Sequence, residues 1–261
     1  DFDFGSAEES TAPEPKKKTY GVTIEAEYTV GEYDIMILSA KRSNGLQRWL
    51  NENGYKTPDV AREILKSYIK QDMKFFVVKV NLEEFDKSGF TQLRPIQISY
   101  DSEKMMLPIR LGMANANGYQ DLIIYTLTKD GRAEVSNYPT RKLPTDMNVP
   151  LSVQNNFGLF YKLLFDRAWR NYGRRSVLLE YAWDLSGSNF TKCDPCATTP
   201  PTLAELKEAG AWWVTEATSS GGWGNSADYN GDLFFTRMHV RYSREHYPED
   251  LTFIETPNKE P

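Results

Sequence analysis

Histidine and cysteine are the scarcest chemistry-bearing residues of this 261-residue chain, which holds two of each: His239, His246, Cys193 and Cys196. Imidazole or thiolate chemistry is therefore confined to those four positions. No apolar run approaches the ~20 residues that cross a bilayer as a helix, so no transmembrane segment is expected. Positive charge is not in excess either. Lys plus Arg total 31 against 36 Asp plus Glu, a formal net charge of −5. That balance excludes a general attraction to nucleic acid or anionic lipid and leaves room only for a local basic patch. A Gly-x-Ser-x-Gly elbow, a phosphate loop and a dinucleotide fingerprint are all missing. No internal repeat is present, and no pattern calls for a cofactor. The residues after Asp1 lack the charged, apolar and small-residue succession of a signal peptide.

What is abundant is ring side chains. Aromatics make up 13% of the residues and hydrophobics 40%, enough to bury a core, so most of the chain should fold. Residues 1–18, rich in Ser, Thr, Pro and Glu, read as a flexible tail, and 19–261 as a single α+β domain. Val22, Ile24, Ala26, Tyr28 and Val30 alternate with polar residues, the period of a strand with one buried face. Tyr33–Ala40 reads as a second strand and Leu46, Trp49 and Leu50 as a short helical stripe. Thr57 as N-cap, Pro58 at the first position and Asp59 beside it predict a helix start. Met73–Leu82, apolar on both faces, reads as a central strand. Shorter strands are expected at Pro95–Tyr100 and Leu107–Leu111. Tyr119–Thr128 is expected to turn through Asp130-Gly131 into a hairpin with Arg132–Tyr138. Phe157–Tyr172 is a strong helix, with Asp166 and Arg170 spaced to pair. Ser176–Asp184 is a strand, Thr202–Ala209 a short helix, Ser219–Asn230 an exposed loop and Leu233–Tyr242 a last long strand. Mostly antiparallel sheet with helices packed on one face is the architecture that follows.

Four groups of residues carry possible chemistry. Cys193 and Cys196, in Cys-Asp-Pro-Cys, suit either a short-loop disulfide pinning a turn or thiol-disulfide exchange with Cys193 attacking; with His239 and His246 they make a two-Cys, two-His metal site arithmetically possible. Arg237, His239 and Arg241 share one face of the last strand and stand about 7 Å apart, a row that suits an anion. The plainer reading pairs them with acids on a neighbouring strand, Glu25 and Glu27 being candidates. Trp212, Trp213 and Trp223 suit sugar stacking or ordinary packing. Asp228, Asn230 and Asp232 alternate as oxygen ligands would, although Gly231 is misplaced for a helix-loop-helix calcium loop.

Taken in order, the runs Val30–Ile35, Leu46–Tyr55, Met73–Phe76, Leu107–Leu111, Asp121–Tyr125, Cys193–Cys196, His239–Tyr242 and Pro248–Leu251 are similar to a bacterial family known only as domain of unknown function 2330. The resemblance spans roughly residues 20–256. It implies an exported protein of the bacterial envelope, periplasmic or extracellular, corresponding to the C-terminal part of a longer chain. The partner it implies is the preceding half or another envelope protein. It brings no chemistry. A non-catalytic binding or scaffold module is the first functional expectation; a thiol or metal factor and an anion- or glycan-binding module are the others.

Overall fold

The computed structural model describes residues 19–144, 147–187, 201–217 and 227–260. Contacts group the chain into two compact units, Asp1–Ile98 and Ser99–Pro261. Among the described residues there are six α-helices and twelve strands, and all strand pairings but one are antiparallel. The fold is α+β, as the periodicities predict.

The first unit is a three-stranded sheet in the order β1 (Val22–Val30), β2 (Tyr33–Ala40), β3 (Phe75–Val80). Gly31 and Glu32 form the two-residue loop between β1 and β2, with Gly31 at φ +57°. A glycine in the left-handed region at the first loop position matches the twist of the flanking strands. Helices α1 (Ser43–Glu52) and α2 (Ala61–Lys70) bury Leu46, Trp49 and Leu50, and Ala61, Leu65 and Tyr68. A third helix, α3 (Leu82–Ser88), takes its cap from the Asn81 side chain. After it the chain returns to the β1–β2 loop, where Arg94 pairs with the buried Glu32 through Nε at 2.9 Å and Nη2 at 2.5 Å.

Three expectations are corrected here. α2 begins at Ala61, because the Thr57 hydroxyl donates to Asn51 Oδ1 at 2.9 Å and caps no helix. β3 is an edge strand and not a central one. Along β1 only Val22 is buried, and Tyr28 and Val30 are exposed. β1 is also an edge, and a register shift between Ile24 and Ala26 interrupts its alternation.

In the second unit β5 (Gln120–Thr128), β11 (Phe234–Tyr242), β8 (Val177–Asp184) and β7 (Thr140–Lys142) form a four-stranded sheet in that order. A smaller sheet runs β4 (Met106–Leu107), β12 (Leu251–Glu255), β6 (Ala133–Val135). β9 (Thr215–Glu216) and β10 (Tyr229–Asn230) pair with each other. The strand expected at Leu107–Leu111 stops at Leu107, helix α4 (Arg110–Ala114) takes its last two residues, and Pro95–Tyr100 forms no strand. The hairpin is also corrected. β6 pairs with β12 instead of β5, because Thr128 folds back to donate to the Gly131 carbonyl and Thr256 receives the returning strand at Arg132. A 3-10 turn (Leu151–Asn156) leads into α5 (Phe157–Asn171). α6 (Leu203–Glu208) starts in a capping box between Thr202 and Glu205.

The four-stranded sheet has two unlike faces. Ile124, Val177, Leu179, Met238 and Val240 point into a core shared with Ile109, Val135, Tyr247 and Phe253. Leu178 points the other way and meets Leu143, Phe165, Ala168 and Trp169. α5 thus covers part of the second face.

Candidate functional site

Arg237, His239 and Arg241 share one face of β11, as the period of two predicts, and Phe235 continues that face. α5 seals the Arg241 end. Trp169 Nε1 donates to the Arg241 carbonyl at 3.2 Å, and the Phe165 ring stacks on His239 at 3.8 Å between centroids. Beneath that cover every charge has a partner. Arg241 forks onto Asp121 of β5 with Nε at 2.8 Å and Nη2 at 3.0 Å, and its Nη1 reaches Asp166 of α5 at 2.5 Å. His239 Nε2 lies 3.1 Å from Asp121 Oδ1, and Nδ1 lies 2.8 Å from the Tyr161 hydroxyl. The Tyr161 hydroxyl donates to Glu180 of β8. Arg237 Nε is 2.6 Å from Glu180 Oε2, but its N–H is not aimed along that line, so the contact is an ion pair without a hydrogen bond.

The acids differ from those expected. Glu25 belongs to the first unit and pairs with Lys74 at 3.2 Å. The partners of the row are Asp121, Asp166 and Glu180, and Asp166 consequently does not pair with Arg170. Glu180 reaches the row because of a register shift in β8: Arg237 opposes Tyr181 and Met238 opposes Leu179, so Glu180 is an extra residue. Such a bulge re-aims a side chain, here putting Glu180 and Tyr181 on one face beside Arg237.

The ionisation of these groups follows from competing effects. Burial opposes the charged form of Glu180, but hydrogen bonds from His239 and Tyr161 and the charge of Arg237 outweigh it and hold its pKa below the ordinary value. Asp121 is lowered in the same way, burial being outweighed by Arg241 and then His239. Burial, and then the bond to Glu180, raise the Tyr161 hydroxyl. The network is a closed ion cluster, and its groups are committed to one another.

Beyond Arg237 the cover ends. Arg237 lies opposite Tyr125 and Tyr181, and Phe235 lies opposite Leu127 and Trp183. The Arg237 guanidinium sits 5.4 Å from the Tyr125 ring centre and 5.8 Å from that of Tyr181. Tyr125 and Phe235 are near parallel, 8° apart with centroids at 5.5 Å; Tyr181 and Trp183 are 18° apart at 4.4 Å. Tyr125 keeps 54% of its surface in water and Trp183 52%. Beside them Tyr125, Phe235, Leu127, Met105, Trp213 and Gly210 line a groove of about 430 Å³. Thr126 also lines it and keeps a buried hydroxyl without a hydrogen-bond partner among the described residues.

Of the remaining candidates, Trp213 joins the groove and its Nε1 donates to the Asp232 carbonyl at 2.9 Å; Trp212 is exposed nearby in sequence. Asp228 Oδ1 accepts the Leu203 N–H at 2.8 Å at the start of α6, and the Asn230 amide faces the Glu216 carbonyl. Among the described residues no three His, Cys, Asp or Glu side chains cluster at metal-ligand spacing. His246 Nδ1 is 3.0 Å from Ser243 Oγ. Cys193, Cys196 and Trp223 lie outside the described residues. Sequence reasoning missed Tyr161, Glu180 and the aromatic set. The available signal was the alternation Tyr181, Trp183 and Phe235, Arg237.

A family model described as Uncharacterized protein conserved in bacteria (DUF2330) matches residues 2–254. No curated protein and no solved structure matches the chain.

Proposed function

Since this chain belongs to the uncharacterised bacterial DUF2330 family, we propose that it is a non-catalytic binding module of the cell envelope that holds another macromolecule against its aromatic sheet face. The observation that carries this reading is the open patch of Tyr125, Tyr181, Trp183 and Phe235 around Arg237. Tyr, Trp and Arg dominate binding hot spots, because they combine large apolar area with a polar tip and lose little freedom on docking. Arg237 is already neutralised by Glu180, so the patch favours contact through ring faces over capture of a free anion. The envelope address is part of this proposal, and the family resemblance is what suggests it. The groove beside Trp213 favours a second reading, a glycan as the macromolecule, since flat rings stack on sugar faces.

Photo-crosslinking in bacteria that make the full-length protein tests both. With benzoylphenylalanine in place of Trp183 or Tyr125, irradiation is expected to give a discrete adduct, and the same group in place of Arg62 on α2 none. Glycosidase sensitivity of the adduct selects the second reading. Absence of an adduct at both aromatic positions, or equal adducts at all three, would overturn the proposal.

A further inference from the structure

From Met147 to Phe165 the sequence has no acidic residue and a single cation, Lys162. A stretch so poor in charge is usually buried, yet several large apolar side chains of this one are exposed. Leu151 leaves 88% of its surface in water, Leu159 and Leu163 59% each, and Phe157 56%. Single exposed leucines need no explanation, whereas a run of them along one short segment does. Leu159, Leu163, Arg167 and Arg170 follow one another at steps of four, four and three, so they form one line about 16 Å long on the outer side of α5. The line changes character along its length. Its first half is apolar and its second half is basic.

The basic half is wider than the helix. Arg167, Arg170, Arg174 and Arg141 are all exposed. Arg141 of β7 stands over the Tyr172 ring and Arg174 over Trp169, which gathers them around the end of α5. No carboxylate lies within ion-pair distance of these four among the described residues, and Asp166, the acid of α5, is taken by Arg241. Cations at a helix C-terminus complement its dipole. That accounts for Arg170 and leaves Arg141 and the leucines unexplained.

We infer that the outer side of α5, with the 3-10 turn before it, docks on the surface of a bilayer containing anionic phospholipid. A bilayer interface offers hydrocarbon beneath a layer of phosphate. Leu159 and Leu163, with Leu151 of the preceding turn, suit the first, entering about 5–10 Å as interfacial helices do. Arg141, Arg167, Arg170 and Arg174 suit the second, since a guanidinium forks onto phosphate oxygens. A nucleic acid would satisfy the arginines and leave the leucines in water. This surface is separate from the aromatic patch, so each proposal stands or falls without the other. No helix among the described residues is long and apolar enough to span a membrane, so the contact is peripheral.

Vesicle co-sedimentation of the full chain tests it. Binding is expected to vesicles of phosphatidylglycerol with phosphatidylcholine, to weaken with added salt, and to be absent from phosphatidylcholine alone. Replacing Arg167, Arg170 and Arg174 together by Gln should lower the partition coefficient roughly a hundredfold, at the contribution typical of a cation near an anionic leaflet. Leu159→Ser with Leu163→Ser should lower it at least tenfold. Circular dichroism melting confirms that each variant folds as the parent does. Equal binding to both vesicle types, no binding to either, or variants that bind like the parent would overturn the inference. Displacement by millimolar inorganic phosphate would also overturn it, by reassigning the arginines to a free-anion site.

Discussion

Glu180 is the residue on which the buried cluster turns. Its two oxygens serve Tyr161 and Arg237, and it stands 3.5 Å from His239. Removing its charge leaves Arg237 half-buried without a counter-ion, which costs about 3–5 kcal/mol when a buried pair is broken. Glu180→Gln is therefore expected to lower unfolding free energy by roughly 3 kcal/mol in urea titration. The cluster also has a pH signature. Asp121 and Glu180 have lowered pKa values in the folded chain, so the unfolded chain binds more protons than the folded one in the acid range. Their contribution is complete above the ordinary carboxylate range near ~4 and is lost as pH falls through the lowered values. Urea midpoints measured from neutral pH downward should fall on acidification, and Asp121→Asn should flatten that fall. The row Arg237, His239, Arg241 was legible in the sequence because strand periodicity alone puts alternate residues on one face. Its partners were not. Asp121 lies 120 positions from Arg241, and the bulge that aims Glu180 leaves no mark in local composition.

At the scale of elements, periodicity identified pieces better than it identified neighbours. β1, β2 and α5 match their expected positions, since apolar residues recur through each at strand or helix spacing, although β1 buries only Val22. β3 was misplaced because an apolar strand looks the same at an edge and at a centre, and β6 because turn residues at Asp130-Gly131 fit a hairpin that β12 pre-empts. Two short elements give sharp tests. Gly31 sits at φ +57°, and a Cβ there would come 1.8 Å from Arg94 Nη2, so Gly31→Ala must both strain the loop and push Arg94 off Glu32. Left-handed geometry alone costs about 1–2 kcal/mol for a residue with a side chain, and the loss should appear in thermal melts. Glu32, with its pKa lowered to about 2 by Arg94, adds to the acid sensitivity of this loop. For α6, Thr202→Ala removes the capping box and should cost about 1 kcal/mol, seen as faster amide exchange at Leu203–Glu205.

At the scale of the whole molecule, the second unit holds its own buried clusters on both faces of its main sheet. Residues 99–261 made alone should unfold cooperatively and give dispersed NMR spectra; a broad, non-cooperative transition would contradict this. Within that unit, one sheet face is divided between ion pairs that α5 closes off and rings that stand open to solvent. The most direct test compares the two halves in one experiment, the urea unfolding of Tyr125→Ser with Trp183→Ser against that of Glu180→Gln. Exposed rings that serve the proposed binding should be removable within about 0.5 kcal/mol per site, while the cluster variant loses several times more. A double serine variant as unstable as Glu180→Gln would show that the rings hold the fold together, and the division would fail.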